Sequence, residues 1–137
     1  MGLYLTIFDD DEEIEGVEVG SYSDFNYLRD IIVNKLENGL AGSRFPTLNL
    51  HSDCDGEWSS EDASNLEKEL KNITKEFEKL PPVPYNSDWQ SEVAKTFGIK
   101  PKNLLECFFD VDGEPLLARF LKLSKLSQEL KLPILFQ

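Results

Sequence analysis

The chain has 137 residues, 40% hydrophobic and 29% charged, a balance that suits one folded domain over 1–137 with a core of its own. Its 26 acidic against 14 basic side chains leave a formal charge of −12, which disfavours nucleic acid and anionic membranes as partners and favours a basic one. No run approaches the ~18 apolar residues of a membrane span, the opening segment lacks a signal peptide's basic flank, and Cys54 and Cys107 make no disulfide framework, so a cytoplasmic location is expected.

Leu3 to Phe8 reads as a strand with Leu3, Leu5 and Ile7 on one face and Tyr4, Thr6 and Phe8 on the other. It is apolar enough that both faces are expected to be covered. Asp9 to Glu13 form an acidic turn, and Ile14 to Val19 fold back as the second strand of a hairpin. Met1 to Thr6 also fits an acylation pattern, against which the acids that follow argue, since a single acyl chain needs a polybasic flank. From a cap at Ser23, the residues Phe25, Leu28, Ile32 and Leu36 recur at helical spacing, Ile31 widens the stripe, and Asn38-Gly39 ends it. Phe45 to Leu50 reads as a short strand, its proline marking the strand's start or an edge.

Ser59 or Ser60 caps a helix through a capping box, Ser59 with Asp62 three residues on; it buries Leu66, Leu70, Ile73 and Phe77, pairs Glu67 with Lys71, and stops before Pro81-Pro82. Ser87 caps a shorter helix, with Trp89, Val93 and Phe97 inward and Gly98 at its end. Leu104 to Phe109 fits either a buried strand or a helical turn. Pro115 opens an apolar helix carrying Leu116, Leu117, Phe120, Leu121, Leu123 and Leu130, and Leu132 to Phe136 closes the chain as a strand beside the first. The expected fold is α+β: a small mixed or antiparallel sheet, built from the N-terminal hairpin plus the C-terminal strand, packed by about four helices.

The unusual residues gather between Phe45 and Asp62. Asp53-Cys54-Asp55-Gly56-Glu57 recurs as Asp110-Val111-Asp112-Gly113-Glu114, each time between an apolar segment and a helix start. Aspartates before glycine make tight turns and accept backbone N–H groups, so turn chemistry explains both copies; an acidic surface facing a partner is the functional alternative. A calcium loop requires its glycine at the sixth position and a glutamate at the twelfth, whereas glycine is fourth in both copies here. A metal-binding or metal-dependent hydrolase-like domain using the two loops is the alternative function. Phe108 to Glu114 also resembles the nucleophile strand of haloacid-dehalogenase-type phosphatases, but Glu114 stands where that family has threonine and the remaining chain is too short for its other parts.

His51 and Cys54 make half a zinc site at most, and Cys54 among acids is a poor nucleophile, because neighbouring carboxylates raise a thiol's pKa. No catalytic residue, metal or cofactor is assigned. Trp58, flanked by Glu57, fits an interface anchor or a lid on the following helix.

Three blocks, MGLYLTIFDDDEEIEGVEVGSYSDF, GSRFPTLNLHSDCDGEWSSED and FFDVDGEPLLARFLKLSKLSQELKLPILFQ, resemble a family of small bacterial immunity proteins of polymorphic toxin systems, leaving out chiefly residues 63–103. The resemblance implies a non-enzymatic cytoplasmic antidote that binds and neutralises a cognate toxin domain, and it carries no catalytic residues. For an acidic chain that toxin is expected to be basic, and occlusion through an acidic surface is the expected mechanism. The residues expected to bind it are Asp53, Asp55, Glu57, Trp58, Asp110, Asp112 and Glu114, with Asp9 to Glu13 as a secondary patch.

Overall fold

A computed structural model describes residues 2–137; Met1, the first residue of the acylation pattern, lies outside the described residues. Strands β1 (Gly2–Asp9) and β2 (Glu12–Ser21) form the hairpin, closed by Asp10 in the left-handed region at φ 56°. Helix α1 (Tyr22–Leu36) follows, then α2 (Pro46–Asn49), β3 (Glu57–Trp58), α3 (Ser60–Phe77), α4 (Asp88–Phe97), a 3-10 turn at Leu105–Cys107, α5 (Leu116–Leu130) and β4 (Ile134–Phe136). The sheet is antiparallel throughout, in the order β2-β1-β4-β3, so the chain's last strand sits beside its first. The α+β architecture is the one the periodicities predict.

The core forms where the inward stripes meet. Leu3, Leu5 and Ile7 of β1 are fully buried under Phe25, Leu28 and Ile32 of α1, Leu66, Leu70 and Ile73 of α3, and Phe120 of α5. Phe25 packs edge-on against both Phe120 and Phe136, tying α1, α5 and β4 together. The Ser59–Asp62 capping box forms, and Glu67 and Lys71 pair at 2.7 Å.

Several local expectations change, each for a visible reason. The cap of α1 is Ser21 and not Ser23, because Asp24 closes a reciprocal box with it. Asp24 is also a junction: its carboxylate accepts from Asn86, Ser87 and Trp89, fastening the proline-rich connector and α4 to the start of α1. Burial pushes that carboxyl up, and the donors Ser87, Asn86 and Trp89 with the Ser21 N–H outweigh it, holding it below the ordinary range.

Phe45 to Leu50 is not a strand. Pro46 begins a helical turn whose free N–H groups, on Thr47 and Leu48, are capped from outside by the Glu69 carboxylate at 3.1 Å each. Glu37, 2% exposed, holds the preceding loop by accepting from the N–H groups of Gly42, Arg44 and Phe45 and from Asn49.

Phe97 does not turn inward. Gln90 and Ala94 are the buried residues of α4, while Phe97, 59% exposed, lies over Gly113, where an added Cβ would meet its ring at 2.8 Å. Leu130, 44% exposed, also leaves the core, since Lys131 turns left-handed at φ 56° and swings the chain into β4. Leu104 to Phe109 resolves as the 3-10 turn, with Phe109 bridged to Pro115. The expected cover on both faces of β1 is partial on one: Thr6 is fully buried there, while Tyr4 and Phe8 stay half-buried and outside the core.

Candidate partner-binding surface

Helix α1 holds the first acidic loop in place from below. The Arg29 guanidinium lies over the Phe25 ring, 4.6 Å from its centroid. From there it donates to the carbonyls of His51 at 2.6 Å and Leu48 at 3.3 Å, and to Asn26 Oδ1 at 2.6 Å. The Asn26 amide, oriented by that bond, donates to Asp53 Oδ2 at 2.7 Å. Asp53 is thereby fixed while remaining at the surface, and the Asn26 bond, joined by more distant attraction to Arg29, holds its carboxyl below the usual aspartate range.

Beyond Asp53, Ser52 Oγ accepts from the N–H groups of Cys54 and Asp55, forming a side-chain-closed turn, and Gly56 at φ 83° reverses the chain into β3. Gly56 O accepts from Phe136, and Glu57 pairs with Leu135, so the loop ends in the sheet itself. His51 closes the underside. Its ring stacks on Phe136 at 4.1 Å, and its two nitrogens face the carbonyls of Ser52 and Glu57 at 2.9 Å each. Neither nitrogen is turned outward toward a ligand. Cys107, the other cysteine, is buried and packed against Val83 on a different segment from Cys54.

Asp55 and Glu57 are exposed and Asp53 half-exposed. Trp58 is not part of that surface. It is 1% exposed, its ring packs edge-on against Phe136, and its Nε1 donates to the Thr47 carbonyl at 3.0 Å. Of the two sequence readings of Trp58, the structure follows the lid, because strand alternation sends Glu57 out and Trp58 in.

The second acidic loop is built the other way round. Asp110 is 1% exposed, and its Oδ1 accepts from the N–H groups of Asp112 at 2.9 Å and Glu114 at 3.0 Å. Its other oxygen faces the Arg119 guanidinium at 3.4 Å. Arg119 also reaches Glu15 and donates to the Gly16 carbonyl at 2.8 Å, which ties the loop and α5 to β2. Asp110 is therefore a buried turn-former rather than a contact residue, and only Asp112 and Glu114 of this copy are exposed.

The loops do not merge. Glu57 lies on β3 at one edge of the sheet, while the Val111 N–H donates to the Glu18 carbonyl of β2 at the other. Three inter-strand spacings, roughly 14 Å, separate those edges. Sequence reasoning missed Asn26 and Arg29, whose signal was slight: two polar residues three apart on the border of an apolar stripe.

Among the described residues no group of three or more His, Cys, Asp or Glu side chains is placed to hold a metal ion, and no helix is long and apolar enough to cross a membrane. Fold and surface together define a small acidic α+β protein that presents braced carboxylates on a short loop. The chain belongs to the Immunity protein 70 family, whose model matches residues 3–136. That membership bears out the resemblance carried by the three sequence blocks. Searches of curated proteins and of solved structures return no match.

Proposed function

We propose that this protein binds a cognate toxin domain of a polymorphic toxin system in the cytoplasm and neutralises it by occlusion, acting as a binding inhibitor and not as an enzyme. The observation that carries this reading, beside the family, is the first acidic loop. Asp53, Asp55 and Glu57 are presented outward from a turn already fixed by Arg29, Asn26 and the β3–β4 pairing. A preformed loop loses little freedom on binding, so its charge acts directly on affinity. The net charge of −12 steers a basic partner toward it. Asp112 and Glu114, with the acidic turn Asp9 to Glu13, extend the same field.

Co-expression with the toxin domain encoded beside this chain tests the reading. Growth should be rescued, and a one-to-one complex should co-purify that weakens as salt is raised. A toxic domain that this chain neither binds nor restrains would overturn it.

A further inference from the structure

The helices pack on one face of the sheet; the other carries no helix, and Thr6 at its centre is buried beneath the neighbouring side chains of the sheet itself. Leu5, Ile7, Val17, Trp58, Ile134 and Phe136 point into the core. Strand alternation turns Tyr4, Thr6 and Phe8 the other way, with Leu135 beside Thr6 and Glu57 beyond it. Tyr4, Phe8 and Leu135 are half-exposed, and none of them packs on the core.

Two irregularities in the hairpin shape this face. The register slips between Leu3 and Tyr4 and again between Ile7 and Phe8, leaving Val19 and Ile14 without a partner. As a result Tyr4 stands opposite Glu18, and Phe8 opposite Glu13. Tyr4 lies down across β2: a Cβ on Gly16 would collide with its ring and hydroxyl, and the hydroxyl donates to Glu13 at 3.1 Å. The outer side of a flattened aromatic ring is thus offered to solvent between two glutamates.

The charge of the sheet is one-sided. Its strands carry Asp9, Glu12, Glu13, Glu15, Glu18 and Glu57 and no lysine or arginine, every basic residue lying in a helix or loop. Of these acids, Glu15 turns toward α5, where Lys122 at 2.8 Å and Arg119 at 3.5 Å offset it. The others have no basic neighbour within ion-pair distance among the described residues.

We propose that this helix-free face, centred on Tyr4 and Phe8 between Glu13 and Glu18, is where the toxin seats, and that its occupant is a lysine- and arginine-bearing surface of the cognate toxin domain. The proposal rests on the neutralising role set out above and adds where the toxin sits, with Glu57 linking this face to the first acidic loop. A basic side chain suits the platform twice: its stem or guanidinium plane lies on the ring, and its charge falls between the carboxylates.

Two double variants test it, Glu13→Lys/Glu18→Lys and Tyr4→Ala/Phe8→Ala, titrated by calorimetry against the neighbour-encoded toxin domain beside the unaltered protein, with thermal melting as the folding control. Charge reversal should weaken binding about 100-fold, and loss of the rings roughly tenfold. If the unaltered chain binds and the folded charge-reversed variant binds within about threefold of it, the face is overturned as the seat while neutralisation stands. If the unaltered chain does not bind, the neutralising role fails and takes this proposal with it. Should the aromatic variant unfold, the charge-reversed variant, altered only at exposed side chains, decides alone.

Discussion

In the loop before α5 the first carboxylate of the repeated motif turns inward, and in the loop before β3 it stays outside. The two segments share four of five residues, Asp-x-Asp-Gly-Glu, and both have their glycine at positive φ, 83° at Gly56 and 79° at Gly113. What differs is the cation behind them. Arg119 directs its guanidinium to the Asp110 carboxylate, which then closes the turn by accepting two backbone N–H groups. Arg29 spends its donors on the Leu48 and His51 carbonyls and on Asn26, so the turn is closed by Ser52 and Asp53 is left at the surface. Equal motifs take unequal roles because their supporting arginines choose different acceptors, and that separates a structural acid from one free to meet a partner.

The comparison is most exposed to failure at Asp110. Asp110→Ala leaves two turn amides without their acceptor and the half-buried Arg119 with Glu15 as its remaining counter-ion, and it should destabilise the fold by about 2 kcal/mol. Urea unfolding measures this, and toxin affinity of the folded fraction should stay as it was. Asp53→Ala should leave the unfolding midpoint close to that of the unaltered protein; an equal loss at both positions would erase the distinction.

A smaller effect sharpens it. Asp53, held below the ordinary aspartate pKa first by its Asn26 bond, should titrate low in a carboxyl NMR experiment. Because the folded value is depressed, the stabilisation it brings is present above the unfolded aspartate pKa of about 3.9 and is lost as pH falls through the folded value. Asn26→Ala should return the carboxyl toward its ordinary range, and a titration unmoved by that change would mean that Asn26 does not hold it.

Much of this arrangement was legible from residue order. The stripes of α1 and α3, the Ser59 box, the hairpin and the C-terminal strand follow from periodicity and capping chemistry, which act over a few residues. The departures arise where a distant side chain decides. Phe45 to Leu50 reads as a strand until Glu69, more than a turn of α3 past its cap, supplies the missing acceptor for a helical start. Asp110 looks like surface charge until Arg119 is placed behind it. Trp58 next to an exposed glutamate suggests an anchor, and only the pairing of Glu57 with Leu135 fixes which of the two neighbours faces out. The helix-free outer face was concealed by the apolar character of Tyr4 and Phe8, which reads as core when the count of covering helices is unknown.

The most direct test of the central claim is the affinity of Asp53→Asn/Asp55→Asn/Glu57→Gln for the neighbour-encoded toxin domain, measured at low and high salt beside the unaltered protein. The account predicts a melting temperature close to that of the unaltered protein, binding at least about tenfold weaker at low salt, and a shallower salt dependence. Full affinity with an unaltered salt response would contradict it.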